Sequence, residues 1–122
     1  ATINITGKCK SVSVDACERV KILLDTSISA IELVNCKRMQ IQIRETAPTV
    51  SIDKTDGCLV YLSRECLDCQ FVCAKSSEMN VSWPDEAGDF QEICIPEQFQ
   101  HKLILDGDTP AISAGVSDLY AH

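Results

Sequence analysis

A chain of 122 residues in which 45% of side chains are hydrophobic but only 5% aromatic is expected to form one domain, with Ile, Val, Leu and Cys filling its core. Its formal net charge of −7 argues against a nucleic-acid partner, because phosphate binding needs a basic face. It contains neither a run of 18 apolar residues nor an N-terminal signal pattern, so the sequence predicts no membrane insertion and a cytoplasmic protein.

Apolar residues recur along the chain with a period of 19. One apolar column contains Ile3, Ile22, Ile41, Val60 and Met79, and a second contains Ile5, Leu24, Ile43, Leu62 and Val81. Three more contain Val12, Ile31, Val50 and Cys69; Val14, Leu33, Ile52 and Phe71; and Cys9, Ile28, Ala47 and Cys66. The interleaved column Ser13, Glu32, Ser51 and Gln70 is polar in every copy. The sequence is therefore that of a repeat protein.

Each repeat contains two short segments in which apolar and polar residues alternate, the pattern of half-buried strands. Leucine-rich repeats are excluded because no Asn or Cys ladder follows the strand. A hexapeptide solenoid needs an inward apolar residue at every sixth position, and it is excluded because the third such position is not consistently apolar. The pattern predicts an all-β, right-handed parallel β-helix over residues 1–96. The expected rungs are Thr2–Val20, Lys21–Met39, Gln40–Cys58 and Leu59–Ser77, with a fifth beginning near Met79.

The period fails in the fifth rung, where we expect a surface loop within Pro84–Asp89 and a delayed second strand at Ile93 and Ile95. Trp83, the one tryptophan, is expected to cover the open end of the core. Residues 97–113 contain Asp106-Gly107 between apolar segments, which predicts a β-hairpin, and residues 114–122 are interpreted as a tail.

An isolated hairpin is only marginally stable, and the end of a solenoid needs a cover. We therefore expect the hairpin to be exchanged with a second copy in a homodimer; a hairpin folded onto its own chain is the alternative. The candidate dimerisation residues are Phe99, Leu103, Ile104, Leu105 and Ile112.

The eight cysteines allow three interpretations. A Cys17–Cys36 disulfide would join neighbouring rungs, and Cys66, Cys69 and Cys73 have spacings found in zinc sites. A zinc site needs a fourth converging ligand, and neither His101 nor His122 is near. Buried free thiols that pack as small apolar groups are favoured, so no metal or cofactor is expected.

Catalysis finds little support in the residues. Asp15 and Asp53 share a column but lie two rungs apart, and the two histidines cannot form a catalytic set with a nucleophile. The sequence therefore favours a rigid protein-binding module rather than an enzyme.

Residues 48–99 contain a combination of segments that is very specific: PTVSIDKTDGC (48–58), YLS (61–63), LDC (67–69), AKSSEMNV (74–81), GDF (88–90) and PEQF (96–99). Through these segments the chain strongly resembles the C-terminal domain of the cyclase-associated proteins, an actin monomer-binding family, and INITGKC (3–9) matches the start of that domain. The resemblance implies a right-handed β-helix that dimerises by hairpin exchange, prefers ADP-actin monomers, and regulates actin turnover by sequestration or by promoting nucleotide exchange.

The resemblance places the candidate actin-binding residues at two corners: Lys54, Thr55, Asp56, Lys75, Ser76, Ser77, Glu78 and Asn80. The two corners are expected to form one patch. The ending SAGVSDLYAH (113–122) departs from the family pattern, so any activity that depends on the tail is open. The alternative function is a GTPase-activating module resembling tubulin cofactor C, which would need an exposed arginine among Arg19, Arg38, Arg44 and Arg64.

Overall fold

A computed structural model describes residues 2–116 of the chain, which form a parallel β-solenoid followed by a hairpin. One sheet contains β1 (Thr2–Cys9), β3 (Lys21–Ser27), β5 (Lys37–Thr46), β7 (Asp56–Tyr61), β9 (Ser77–Pro84) and β10 (Phe90–Cys94). A second sheet contains β2 (Val12–Asp15), β4 (Ala30–Val34), β6 (Thr49–Asp53) and β8 (Gln70–Ala74). The hairpin consists of β11 (Phe99–Asp106) and β12 (Thr109–Val116). A short 3-10 helix, Arg64–Cys66, is the one helix among these residues.

The strand pairing confirms the predicted all-β solenoid, and the 19-residue period holds through the first three rungs. Ile3 pairs with Ile22, Ile22 with Ile41, and Ile41 with Val60, all in parallel register. Ile22, Ile41 and Val60 are each at most 1% exposed, and Ile31 and Leu33 of β4 and Val50 and Ile52 of β6 are equally buried. The alternation in each strand therefore sends its apolar side chains into one core between the two sheets.

The fourth rung contains two more residues than the period allows. Val50 pairs with Phe71, and Val60 pairs with Val81, so both offsets are 21 rather than 19. The extra residues lie in the turn at 67–68 that follows the 3-10 helix. The prediction that Cys69 continues the Val50 column was wrong, as was the pairing of Met79 with Val60, because Met79 pairs with Cys58.

The same insertion changes the polar column. Ser51 pairs with Val72 instead of Gln70, and Val72 is 57% exposed.

The second rung differs from prediction at Ile28, which was expected to point inward but is 65% exposed. The register shifts between Leu24 and Thr26, so Ser27 takes the inward position and is 1% exposed. Its hydroxyl lies 3.5 Å from the carbonyl oxygens of Lys10 and Ala30, to which it donates. These bonds explain why the core tolerates a serine there, because a buried hydroxyl needs a partner.

The open end of the solenoid is closed by a fold-back rather than by a fifth rung. Strand β10 runs antiparallel to β9, with Ile93 opposite Val81, so the predicted second strand of that rung was wrong. The predicted surface loop is present, and Asp85 Oδ1 accepts the backbone N–H groups of Ala87 (2.9 Å) and Asp89 (3.0 Å). Trp83 is half-buried and packs against the core at this end, as expected.

The hairpin prediction is confirmed, with Gly107 and Asp108 forming the turn between β11 and β12. Leu103 pairs with Ile112 and Ile104 with Ala111. Strand β12 runs to Val116, so the hairpin extends beyond the expected boundary at residue 113. Residues 117–122 of the predicted tail lie outside the described residues.

Cys17 and Cys36 are free thiols, so the alternative of a disulfide between these two rungs is not observed. Cys36, Cys58 and Cys66 are buried, as the small-apolar interpretation predicted, whereas Cys94 is exposed. Burial raises the pKa of the Cys58 thiol to about 12, because desolvation disfavours a thiolate. This thiol therefore packs as a neutral apolar group.

Candidate functional site

The candidate site lies where the chain turns from the four-stranded sheet into the six-stranded sheet. In the third rung this corner is formed by Lys54 and Thr55 between β6 and β7, and in the fourth rung by Lys75 and Ser76 between β8 and β9. Asp53 pairs with Ala74 and Asp56 with Ser77, so equivalent residues of the two corners lie side by side. The prediction that the two segments meet on adjacent rungs is confirmed.

Left-handed backbone conformations make these corners sharp. Ala16, Asn35, Lys54 and Lys75 have φ values of 55°, 55°, 49° and 51°, one in each rung. Three residues later, Arg19, Arg38, Gly57 and Glu78 have φ values of 57°, 54°, 83° and 52°. A non-glycine residue in this region costs about 1–3 kcal/mol and persists only where the surrounding structure holds it.

The parallel hydrogen-bond ladder continues around the corner and holds that conformation. The N–H of Asn35 donates to the Asp53 carbonyl at 3.1 Å, and the N–H of Lys54 donates to the Ala74 carbonyl at 3.0 Å. The N–H of Ser77 donates to the Thr55 carbonyl at 3.1 Å. Each corner is therefore positioned by the next one along the solenoid.

Two of the candidate residues face inward. Thr55 is 1% exposed, its hydroxyl donates to the Asp53 carbonyl at 3.0 Å, and its N–H donates to Ser76 Oγ at 3.1 Å. Ser76 Oγ in turn donates to the Ala74 carbonyl at 2.9 Å. These two side chains shape the corner, and the side chain of Thr55 is not available to a partner.

The remaining candidates form the outer surface of the corner. Lys54, Asp56, Lys75 and Glu78 are exposed, and we refer to these four residues as the corner patch. Ser77 and Asn80 are half-buried at its edge. The patch therefore places two lysines and two carboxylates on adjacent rungs.

The chain returns to the corner patch after β10. The N–H of Glu78 donates to Glu97 Oε2 at 2.8 Å, which brings the PEQF segment beside the KSSE segment. A small cleft of about 130 Å³ between them is lined by Cys73, Ala74, Lys75, Ser76, Met79, Pro96, Glu97 and Phe99. PEQF is among the matching segments of the sequence, but the sequence did not predict that Glu97 lies beside the site. Only the fold-back of β10 brings Glu97 there.

The charged surface continues from the corner patch toward the first rung. A groove of about 410 Å³ is lined by Glu18, Lys37, Arg38, Asp56 and Glu78. Lys37 lies between Glu18 and Asp56 in register, and the next residue in this column is Ser77. The two-residue insertion therefore places Ser77 in this column, whereas a strict 19-residue period would place Lys75 there.

A second surface feature is an apolar cavity of about 390 Å³ at the closed-over end of the solenoid. It is lined by Leu62, Leu67, Cys69, Phe71, Val81, Trp83, Ile93, Cys94, Ile95 and Pro96. The candidate dimerisation residues of the hairpin are also exposed: Phe99 by 53%, Leu103 by 70%, Ile104 by 45%, Leu105 by 72% and Ile112 by 65%. Pairing and alternation place Phe99, Leu103, Leu105 and Ile112 on one face of the hairpin and Ile104 on the other.

Within residues 2–116 no group of three or more His, Cys, Asp or Glu side chains is arranged to hold a metal ion. No helix in the same part of the chain has the length and apolar character needed to cross a membrane.

Comparison with known proteins assigns the family. Residues 1–114 match the family described as adenylate cyclase associated (CAP) C terminal. Over 100 residues the chain is 48% identical to bovine adenylyl cyclase-associated protein 1, covering 82% of the chain and 21% of that protein. Over 107 residues it is 47% identical to rat adenylyl cyclase-associated protein 2, covering 88% and 22%. The chain thus spans about a fifth of the length of these relatives.

The fold comparison agrees. The crystal structure of cyclase-associated protein from Cryptosporidium parvum superposes with a TM-score of 0.89 at 34% identity, covering 96% of this chain and 71% of that one. The sequence segments, the stacked rungs and the matched range all lead to the same assignment: the chain belongs to the C-terminal domain family of the adenylyl cyclase-associated proteins.

Proposed function

We propose that this domain binds monomeric actin through the corner patch. The observation that carries the proposal is the side-by-side placement of the KTDG and KSSE corners, which are separated by 21 residues in the chain. These are the segments through which the sequence resembles an actin monomer-binding family. A rigid surface with alternating charges suits a protein partner, because complementary charges steer association and fix the register of the complex.

We further propose a preference for ADP-actin and a role in actin turnover within the cytoplasm. A binding domain shifts its partner's conformational populations only through a difference in affinity between states. Sequestration needs only that the domain bind the monomer and keep it out of filaments. Promotion of nucleotide exchange needs, in addition, a faster release of nucleotide from the bound actin.

We propose that the active form is a homodimer whose hairpins are exchanged between two copies. The hairpin is a two-stranded sheet with four large apolar side chains on one face, each more than half exposed. Such a hairpin is marginal on its own. The apolar cavity at the end of the solenoid offers a complementary surface, and a second copy presents the same two features, as a symmetric interface requires.

The GTPase-activating alternative is not favoured. The family assignment disfavours it, and two of the four candidate arginines are held by their own chain. Arg44 Nε lies 2.6 Å from Asp25 Oδ1, and an Arg64 guanidinium nitrogen donates to the Asp85 carbonyl at 2.7 Å. An arginine that acts on a bound nucleotide must be free to reach it.

Analytical ultracentrifugation with fluorescently labelled monomeric actin tests the proposal. The domain is first sedimented alone to establish whether it forms a dimer, and then with ADP-actin and ATP-actin in separate titrations. We expect a complex containing two copies of the chain, formed at lower protein concentration with ADP-actin. Actin that sediments unchanged with both nucleotides at tens of micromolar domain would contradict the proposed function.

A further inference from the structure

The insertion in the fourth rung brings two cysteines together at a place where the chain departs from its period. The N–H of Cys69 donates to the Cys66 carbonyl at 3.1 Å, which closes a four-residue turn directly after the 3-10 helix. A turn closed in this way keeps its end Cα atoms within about 7 Å, and most disulfides span Cα atoms about 4.4–6.8 Å apart. The backbone thus already has the separation that a Cys66–Cys69 disulfide needs.

The Cys66 and Cys69 side chains also lie close enough to influence each other's ionisation. Cys66 is buried under the end of β5, where its Sγ accepts the N–H of Ala47 at 3.3 Å. Cys69 is half-buried and lines the apolar cavity beside Leu67 and Phe71, so it is the member of the pair that meets solvent. One sulfur is therefore held in place while the other is accessible.

The surroundings favour a thiolate on Cys66. The hydrogen bond from the Cys69 thiol is the largest influence and, with the Ala47 N–H, lowers the pKa of Cys66 to about 7, although burial and the Asp68 carboxylate oppose the change. The same hydrogen bond raises the pKa of Cys69, because Cys69 is the donor. Of the two sulfur atoms, Cys66 therefore loses its proton more readily and can accept one from Cys69.

We propose that Cys66 and Cys69 form a redox-active pair that reacts with low-molecular-weight disulfides to give an internal disulfide. In the first step the sulfur of Cys69 attacks one sulfur of the small disulfide, its proton moves to Cys66, and one small thiolate leaves. In the second step Cys66 gives its proton to that thiolate and attacks Cys69, and the second small thiolate leaves and takes a proton from water. Two protein thiols are oxidised and one small disulfide is reduced to two thiols.

The test uses the full chain and oxidised glutathione. Digestion with a protease that cleaves before Asp68 separates the two cysteines unless a disulfide joins them, so mass spectrometry of the digest identifies the bond. We expect the mass of the wild-type chain to fall by two hydrogen atoms. The fragments on either side of the cleavage should remain joined by the disulfide. A bond mapped instead to Cys69–Cys94 or Cys17–Cys36 would overturn the proposal.

Two variants and a control separate the steps. Cys66→Ser is expected to stop at a glutathione adduct on Cys69, and Cys69→Ser is expected to lose the internal disulfide. Cys94→Ser removes the exposed cysteine and is expected to leave the reaction unchanged. Glutathione addition to Cys94 with Cys66 and Cys69 still reduced in the wild-type chain would refute the proposal, and that readout does not depend on whether any variant folds.

Discussion

Ser77 Oγ donates a hydrogen bond to Asp56 Oδ1 over 2.8 Å and so links the outer surfaces of the third and fourth corners. The two residues are 21 positions apart in the chain and are register partners in the ladder. This bond fixes the direction of an exposed carboxylate within the corner patch. A charge with a fixed direction loses less side-chain entropy when a partner binds it.

The corner patch is expected to carry actin binding through its charges. Lys75→Ala and Glu78→Ala should each weaken binding by about 5–10-fold, mainly by slowing association, since exposed interface charges act on encounter more than on lifetime. The melting temperature should stay within about 2 °C of wild type, because surface substitutions usually change stability by less than about 0.5 kcal/mol. Titration of labelled ADP-actin, at two salt concentrations, measures both effects.

Lys10→Ala and Glu45→Ala are matched controls for these variants, because both side chains are exposed and neither lies at the third or fourth corner. They should bind actin as the wild type does. Equal losses for control and patch variants would indicate a general charge effect and would reject the corner patch as the site.

The corrected register predicts opposite outcomes for two isoleucines that the 19-residue period treats alike. Ile41→Ala removes a fully buried side chain from the Ile22–Ile41–Val60 column and should destabilise the fold by about 2–5 kcal/mol. Ile28→Ala removes a side chain that is 65% exposed and should cost less than about 0.5 kcal/mol. Urea unfolding measures the free energy of unfolding of both variants. Similar losses of stability would indicate that Ile28 packs in the core.

Gly57 is expected to stabilise its corner. Its φ is 83°, and a Cβ atom there would lie 3.4 Å from the backbone nitrogen of Arg38. Gly57→Ala should therefore destabilise the domain by about 1–2 kcal/mol, the usual cost of a side chain in the left-handed region. Gly115→Ala, at a position where a Cβ meets nothing within 4 Å, is the control and should be nearly neutral. Thermal unfolding, monitored by circular dichroism, measures the stability of both variants against the wild type.

Asp25 should make the stability of the first three rungs depend on pH. It accepts the Gly7 N–H at 2.8 Å and pairs with Arg44, and these contacts lower the pKa of its carboxyl group below the usual value in the folded chain. A carboxyl group with a lowered folded-state pKa stabilises the fold above its unfolded pKa, and this contribution is lost as the pH falls through the folded value.

Asp25→Asn should accordingly lower the melting temperature at pH 7, and the difference from wild type should shrink below about pH 4. Glu32→Gln, which changes an exposed carboxyl group on β4, serves as the control and should show no such convergence. A difference for Asp25→Asn that is constant from pH 7 to pH 3 would mean that the ion pair contributes nothing.

The hairpin face is expected to govern dimer formation. Leu103→Asp places a charge among Phe99, Leu105 and Ile112 and should shift sedimentation from dimer to monomer without loss of the solenoid's circular dichroism. Ser113→Asp, on the opposite face of the hairpin, should leave the dimer intact. A wild-type chain that is already monomeric at tens of micromolar would exclude the exchanged dimer.

Much of the fold follows from the sequence alone. Parallel strands one rung apart stack identical positions, so the columns Ile22–Ile41–Val60 and Ile31–Val50 had to be apolar, and the period reveals the solenoid directly. The hairpin turn at Gly107-Asp108 was equally predictable from the Asp106-Gly107 pair, because such a turn requires a residue that tolerates positive φ, and the φ of Gly107 is 65°. The adjacency of the two corner segments followed from the same period.

Only the tertiary structure decided where the period fails. The two residues inserted at 67–68, the bulge that exposes Ile28 and the fold-back of β10 all preserve burial while changing register, and alternation within a strand cannot reveal such a shift. The fold-back brings Glu97 to Glu78, and the insertion lies in the turn that joins Cys66 to Cys69. The sequence determined the repeating unit because its spacing is local, whereas contacts between irregular segments depend on how the whole chain packs.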